Sequence, residues 1–184
     1  MAVKKTQTDF MNLDAGGRIR VAILGALRML LVLTASFLFY FLIPIGGFNE
    51  SNPAAAWIRL SGVVLAFLTI LGFQVRVVVT ARVPQVQAVE AVVQSVVVFI
   101  LLFALLYLSL SATDTSNFSE PLDRVGALYF TSSTFATVGF GDITPVTSLA
   151  RGLVSIQMIA GLGVLVMVAK LAFFAARKGL GREV

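Results

Sequence analysis

The 184 residues are 58% hydrophobic and 12% charged, with a mean hydropathy of +0.96, whereas a soluble domain is about 45–50% apolar. This excludes an ordinary soluble fold and points to an all-α integral membrane protein. The formal charge of +5 is spread along a largely apolar chain, which argues against nucleic-acid binding, and the absence of cysteine and histidine excludes disulfides, thiolate or imidazole metal sites, Ser-His or Cys-His catalysis and a histidine proton switch.

Residues 1–17 are polar and of mixed charge, close on Gly16 and Gly17, and read as a cytoplasmic tail. The apolar run from about Val21 to Ile45 outruns the ~7–15-residue core of a signal peptide. As a helix it rises about 37 Å, enough to cross ~30 Å of hydrocarbon. The connector from Gly46 to Pro53 has no Lys or Arg and a turn-forming composition. A second span is expected from about Ala54 to Val79, with Trp57 as an interfacial anchor and Arg59 snorkelling outward. Arg76 and Arg82 precede Pro84, and a third span follows from about Val89 to Leu110.

From Ser111 to Arg124 the chain is polar and acidic, with Asp114, Glu120 and Asp123. A semi-apolar segment from Asp123 to Ala136 leads into the hexapeptide TVGFGD, Thr137 to Asp142, and a loop with Pro145. The fourth span, about Leu149 to Ala176, ends in a basic tail containing Arg177, Lys178 and Arg182. The polar stretch from Ser111 to Ser148 is too long for a structureless loop, so its middle is expected to re-enter the membrane. The segment before the hexapeptide reads as a half-helix, capped by Ser119 or Asp123 with Pro121 in its first turn. The reading divides the chain into a tail (1–17), a peripheral two-helix hairpin (18–83), a pore domain (84–176) and a second tail (177–184). Lys and Arg concentrate in both tails and the second connector, which places both termini in the cytoplasm and the hexapeptide outward.

Non-helical backbone at membrane depth is tolerated only inside protein or along a water-filled path. A cation crossing there must exchange its hydration shell for oxygens, which rings of backbone carbonyls supply. Turning successive carbonyls to one axis needs alternating signs of φ, open to Gly139 and Gly141 without a Cβ penalty. Thr137 can add a hydroxyl oxygen, while Val138 and Phe140 would point backward as packing. The C-terminal end of the half-helix would favour a waiting cation through its partial negative charge. A closed ring requires several copies, because the chain has one such segment.

STFATVGFGD, preceded by ALYF and followed by ITPVT, resembles the pore signature of tetrameric potassium channels, from about the third span to the end of the fourth. The resemblance implies four transmembrane helices per subunit, a re-entrant pore helix and an extended selectivity filter around a central pore. It also implies potassium bound at Thr137, Val138, Gly139 and Phe140, with Gly141 completing the filter. Asp142 becomes the outer-mouth acid, Tyr129 and Phe130 the pore-helix aromatic pair, and Gly161 a hinge of the inner helix. Phe140 stands where tyrosine is commoner, Ser133 where some bacterial members have a glutamate tied to the outer acid, and Ala136 where threonine is usual. Filter support would then rest on packing and on a bond from Tyr129 to Asp142. The implied protein is a homotetramer conducting potassium passively in a plasma or bacterial inner membrane, among membrane lipids, with no enzyme activity and no cofactor beyond the permeant ion. A weakly selective cation channel, a potassium-transporter subunit and a structural subunit without a pore are the alternatives.

Arg28, Arg59 and Arg76 do not stack along one helix as a voltage sensor requires, so steep voltage gating by that device is not expected. Gly161 and Gly163 suit either a hinge or close helix packing. Phe173 could ring a hydrophobic gate or simply pack. Lys170 is expected to pair with Glu90 at matching depth, the alternative being a snorkelling lysine.

Overall fold

The computed structural model describes residues 14–42, 58, 61, 62, 65, 69 and 84–179. Among the described residues every named element is helical: α1 (Ala15–Leu42), α2 (Pro84–Thr113), a 3-10 turn (Thr115–Asn117), α3 (Arg124–Phe135) and α4 (Ser148–Gly179). Three stretches, Ala15–Leu42, Val89–Thr113 and Ser148–Lys170, are long and apolar enough to cross a membrane, which makes this a membrane protein. The expected second span, with Trp57, Arg59 and Arg76, lies outside the described residues apart from five isolated positions, as do residues 1–13 and 180–184.

Several boundaries differ from the sequence reading, among them both ends of α2, which runs from Pro84 to Thr113 and not from Val89 to Leu110. The first helix starts inside the expected N-terminal tail, because Asp14 Oδ1 accepts the Gly17 N–H at 3.0 Å and so stabilises a helix start that the glycine pair alone would disfavour. At the other end α4 continues to Gly179, past Ala176. Its start is set by Thr147, whose Oγ1 accepts the Ala150 N–H at 3.2 Å.

One helix, α2, is the trunk. Phe99, Phe103 and Tyr107 recur every fourth residue and therefore share one face, with successive ring centroids 4.8 and 6.0 Å apart. Phe135 meets Phe99 at 5.5 Å, and Phe118 and Phe130 meet Tyr107 edge-on at 5.8 and 5.4 Å. Such tilted aromatic pairs add about 0.5–1.5 kcal/mol each beyond area burial. Leu153, Val154 and Val164 of α4 close this core. On another side of α2, Tyr40 of α1 packs with Leu101 and Ala104, and Arg28 meets Glu90, 62 positions later. Both contacts keep nearly the same offset, so α1 and α2 run parallel.

Candidate ion-conduction site

The site begins with α3. Asp123 adopts extended backbone and its Oδ1 accepts the Gly126 N–H at 2.6 Å, satisfying one of the orphan donors of the first turn. Just before it, the Leu122 N–H donates to Ser111 Oγ of α2 at 2.8 Å. Ser119, the other candidate cap, is instead engaged with the loop after the hexapeptide, its Oγ accepting the Thr144 N–H at 3.0 Å. Pro121 lies ahead of the cap and not in the first turn, because the helix begins only at Arg124.

At its C-terminal end α3 hands its carbonyls directly to the hexapeptide. The Ser133 carbonyl accepts the N–H groups of Val138 at 2.9 Å and Gly139 at 3.3 Å, and the Thr134 carbonyl accepts Thr137 N–H at 3.1 Å. Ser133 therefore supports the segment through its main chain, while its Oγ turns back to the Phe130 carbonyl at 3.0 Å. Among the described residues three have positive φ: Thr137 at 58°, Gly139 at 55° and Gly141 at 81°. With Val138 and Phe140 outside that region, φ alternates in sign from Thr137 to Gly141. The two glycines adopt it freely, but Thr137 is β-branched, and a left-handed conformation there costs about 1–2 kcal/mol. The sequence reading assigned the positive φ values to the glycines and missed Thr137. Val138 and Phe140 stand 54% and 67% exposed in the single chain.

At the end of the hexapeptide the structure brings Asp142 to Tyr129 of α3, with Tyr129 Oη donating to Asp142 Oδ2 at 2.7 Å. The Tyr129 and Phe140 rings stack nearly parallel, 6.0 Å apart and 7° inclined. That bond is the chief reason the Asp142 carboxyl lies below its usual range; the Ile143 N–H, which donates to Asp142 Oδ1 at 3.0 Å, lowers it further. The following loop is stitched to the segment after α2. Ser119 N–H donates to the Thr144 carbonyl at 2.9 Å and Val146 N–H to the Asn117 carbonyl at 2.8 Å. The buried Asn117 side chain accepts from Thr147 Oγ1 at 2.6 Å and donates to the Asp114 carbonyl at 2.9 Å.

Beneath the aromatic core lies a polar clamp that sequence reasoning missed. Tyr107 Oη donates to Gln157 Oε1, and Gln157 Nε2 donates to the Thr131 carbonyl at 3.2 Å. All three residues are fully buried, so the clamp joins α2, α4 and α3 where water cannot compete. A lone Gln within an apolar span was the available signal, since buried polar groups there need partners.

On the neighbouring face Thr134, Phe135, Thr137, Gly139, Met158, Gly161, Leu162 and Leu165 line a cavity of about 310 Å³. It sets one wall of the hexapeptide against α4. A Cβ on Gly161 would meet Phe135 Cδ2 at 3.4 Å, ordinary contact distance, so this glycine sits in the α3–α4 packing; around Gly163 there is open space.

The expected Glu90–Lys170 pair is not formed. Glu90, buried to 5% exposure, is paired with Arg28, whose Nε donates to Glu90 Oε2 at 2.9 Å and whose Nη2 donates to the same oxygen. Lys170 is exposed. Depth along separate spans suggested the pairing, but parallel packing of α1 on α2 brings Arg28 to the carboxylate first. The side chain of Phe173, the candidate gate, lies outside the described ones.

Residues 95–176 match the family described as "Ion channel". A 59-residue stretch is 36% identical to the calcium-gated potassium channel TvoK of Thermoplasma volcanium, covering 32% of this chain and 17% of that protein's length. No solved structure matches. With a TVGFGD segment held at the end of α3 and the family match running from mid-α2 to the end of the expected fourth span, this part of the chain is similar to ion channels and, over a shorter stretch, to a potassium channel.

Proposed function

We propose that the chain is one subunit of a homotetrameric channel that passes potassium selectively and passively through rings of carbonyl oxygens from Thr137 to Gly141. In this reading α3 is the re-entrant pore helix, α2 the outer helix and α4 the inner helix of a pore domain over 84–176. The region 18–83 forms a peripheral hairpin, supplying the fourth span, and both termini are cytoplasmic. The observation that carries it is the alternation of φ sign through Thr137–Gly141, anchored on Ser133. Alternating left- and right-handed residues direct successive carbonyls to one side, the arrangement a dehydrated cation needs. Assembly follows from exposure: Val138 and Phe140 lie on non-helical backbone uncovered in one chain, and membrane-depth backbone of that kind must be buried in protein or line a water-filled path. Asp142 adds negative charge at the outer mouth, raising the local cation concentration.

Potassium flux from liposomes containing the purified protein tests the reading, with sodium replacing potassium as the selectivity arm. Potassium flux that stops on Gly139→Ala with the tetramer retained is the expected result. Equal sodium and potassium flux, or none from the wild type, would overturn it.

A further inference from the structure

We infer that α1 sets the position of the filter through a reciprocal clamp at its C-terminal end, with Tyr40 and Arg124 as positioning residues for the conducting segment; this rests on the reading of TVGFGD as a filter. Tyr40 Oη donates to the Arg124 carbonyl at 2.6 Å, and Arg124 Nη1 donates to the Tyr40 carbonyl. Each residue gives its side chain to the other's backbone, so neither helix end can slide along the other without losing both bonds. The choice of atoms has a physical reason. Tyr40 is among the last four residues of α1, whose carbonyls lack an intrahelical partner. Away from water such a carbonyl must find a donor, and a guanidinium also complements the negative end of the helix dipole.

Arg124 is the first residue of α3. Tyr40 is fully buried in a cluster with Leu101 and Ala104 of α2, against which Leu128 of α3 packs. From Arg124 the 12 residues of α3 extend about 18 Å to the turn where the Ser133 carbonyl holds Val138 and Gly139. A hydrogen-bonded helix carries a displacement of its first turn to its last, whereas a loop would absorb it. The other tie near that start, from Leu122 to Ser111, comes from α2, so α1 supplies an independent fixing point. Arg28–Glu90 holds α1 to α2 a second time, 12 residues or about 18 Å along the helix from Tyr40. A helix braced at two points acts as a strut.

The test compares Tyr40→Phe, which keeps the ring and removes only the Oη donor, with Leu31→Ala on the exposed side of α1. Hydrogen exchange of the Val138 and Gly139 amides is read in the assembled protein, together with the rate at which liposome potassium flux decays when external potassium is lowered. Losing one net hydrogen bond corresponds to about a fivefold effect. Tyr40→Phe is therefore expected to accelerate both readouts about fivefold. Arg124→Leu should do at least as much, Arg124→Lys, which keeps a donor, should stay near wild type, and Leu31→Ala should change neither. Exchange and decay in Tyr40→Phe equal to those of Leu31→Ala would overturn the clamp. Absence of wild-type flux would overturn the channel reading instead, leaving the clamp judged by amide exchange alone.

Discussion

Replacing Gly139 by alanine is expected to stop conduction through backbone strain alone. Gly139 has φ of 55°, and a Cβ built there meets nothing within 4 Å, so the new methyl has room and the cost is conformational. Placing an L-residue with a Cβ in the left-handed region costs about 1–2 kcal/mol. Four symmetric copies would therefore carry about 4–8 kcal/mol, comparable to the whole stability of many domains. Relief comes by returning residue 139 to negative φ, which breaks the alternation and swings the carbonyls that follow off the common direction. Potassium flux from liposomes is the assay, with tetramer content checked in detergent. Gly163→Ala is the matched control, since it lies in α4 with open space around it and should be neutral or stabilising by up to about 1 kcal/mol. Wild-type flux from Gly139→Ala would refute the argument from φ, and loss of flux from both variants would show a general sensitivity to added methyls.

Gln157→Leu strands the Tyr107 hydroxyl in the core and takes a second donor from the helical Thr131 carbonyl, at a cost of about 1–3 kcal/mol; thermal unfolding in detergent should show a clear fall, and an unchanged Tm would mean the clamp contributes little. Asp142 is held below the carboxylate value of 3.8 chiefly by Tyr129, so its stabilising contribution is complete above that value and lost as pH falls through the lower folded-state pKa. Flux through wild-type protein should accordingly survive below external pH 3.8, whereas in Tyr129→Phe the loss should move up toward that value; identical acid profiles would separate the bond from function. Arg28→Leu leaves the buried Glu90 without its cation and should cost about 1.5–3 kcal/mol, with part recovered in the double variant carrying Glu90→Gln. A double variant no better than the single would assign the loss to packing of Arg28.

Much of the segment from α2 to α4 was legible because its signals are local. The apolar runs behind α1, α2 and α4 are long, Ser119 and Asp123 bracket a helix start that the structure places at Asp123, and glycines at 139 and 141 mark where backbone can turn left-handed. Residue-to-residue support was less legible, since it depends on which helix faces which. Glu90 offers the clearest case: Lys170 and Arg28 are both basic residues within apolar spans, and nothing local to either chooses between them. Tyr107 and Gln157 lie 50 residues apart, so their bond has no short-range signature.

By itself the sequence determined a membrane-spanning helical chain with a TVGFGD segment between the two helices that follow Pro84, because hydrophobic length, helix caps and glycine conformational freedom act over a few residues. Tertiary structure alone decided that Ser133 serves through its carbonyl, that Thr137 takes a strained left-handed backbone, that Glu90 pairs with Arg28 and that Tyr40 grips the start of α3. Those outcomes come from packing α1, α3 and α4 around one trunk helix, where a buried polar group takes whichever partner the crossing of helices brings within reach.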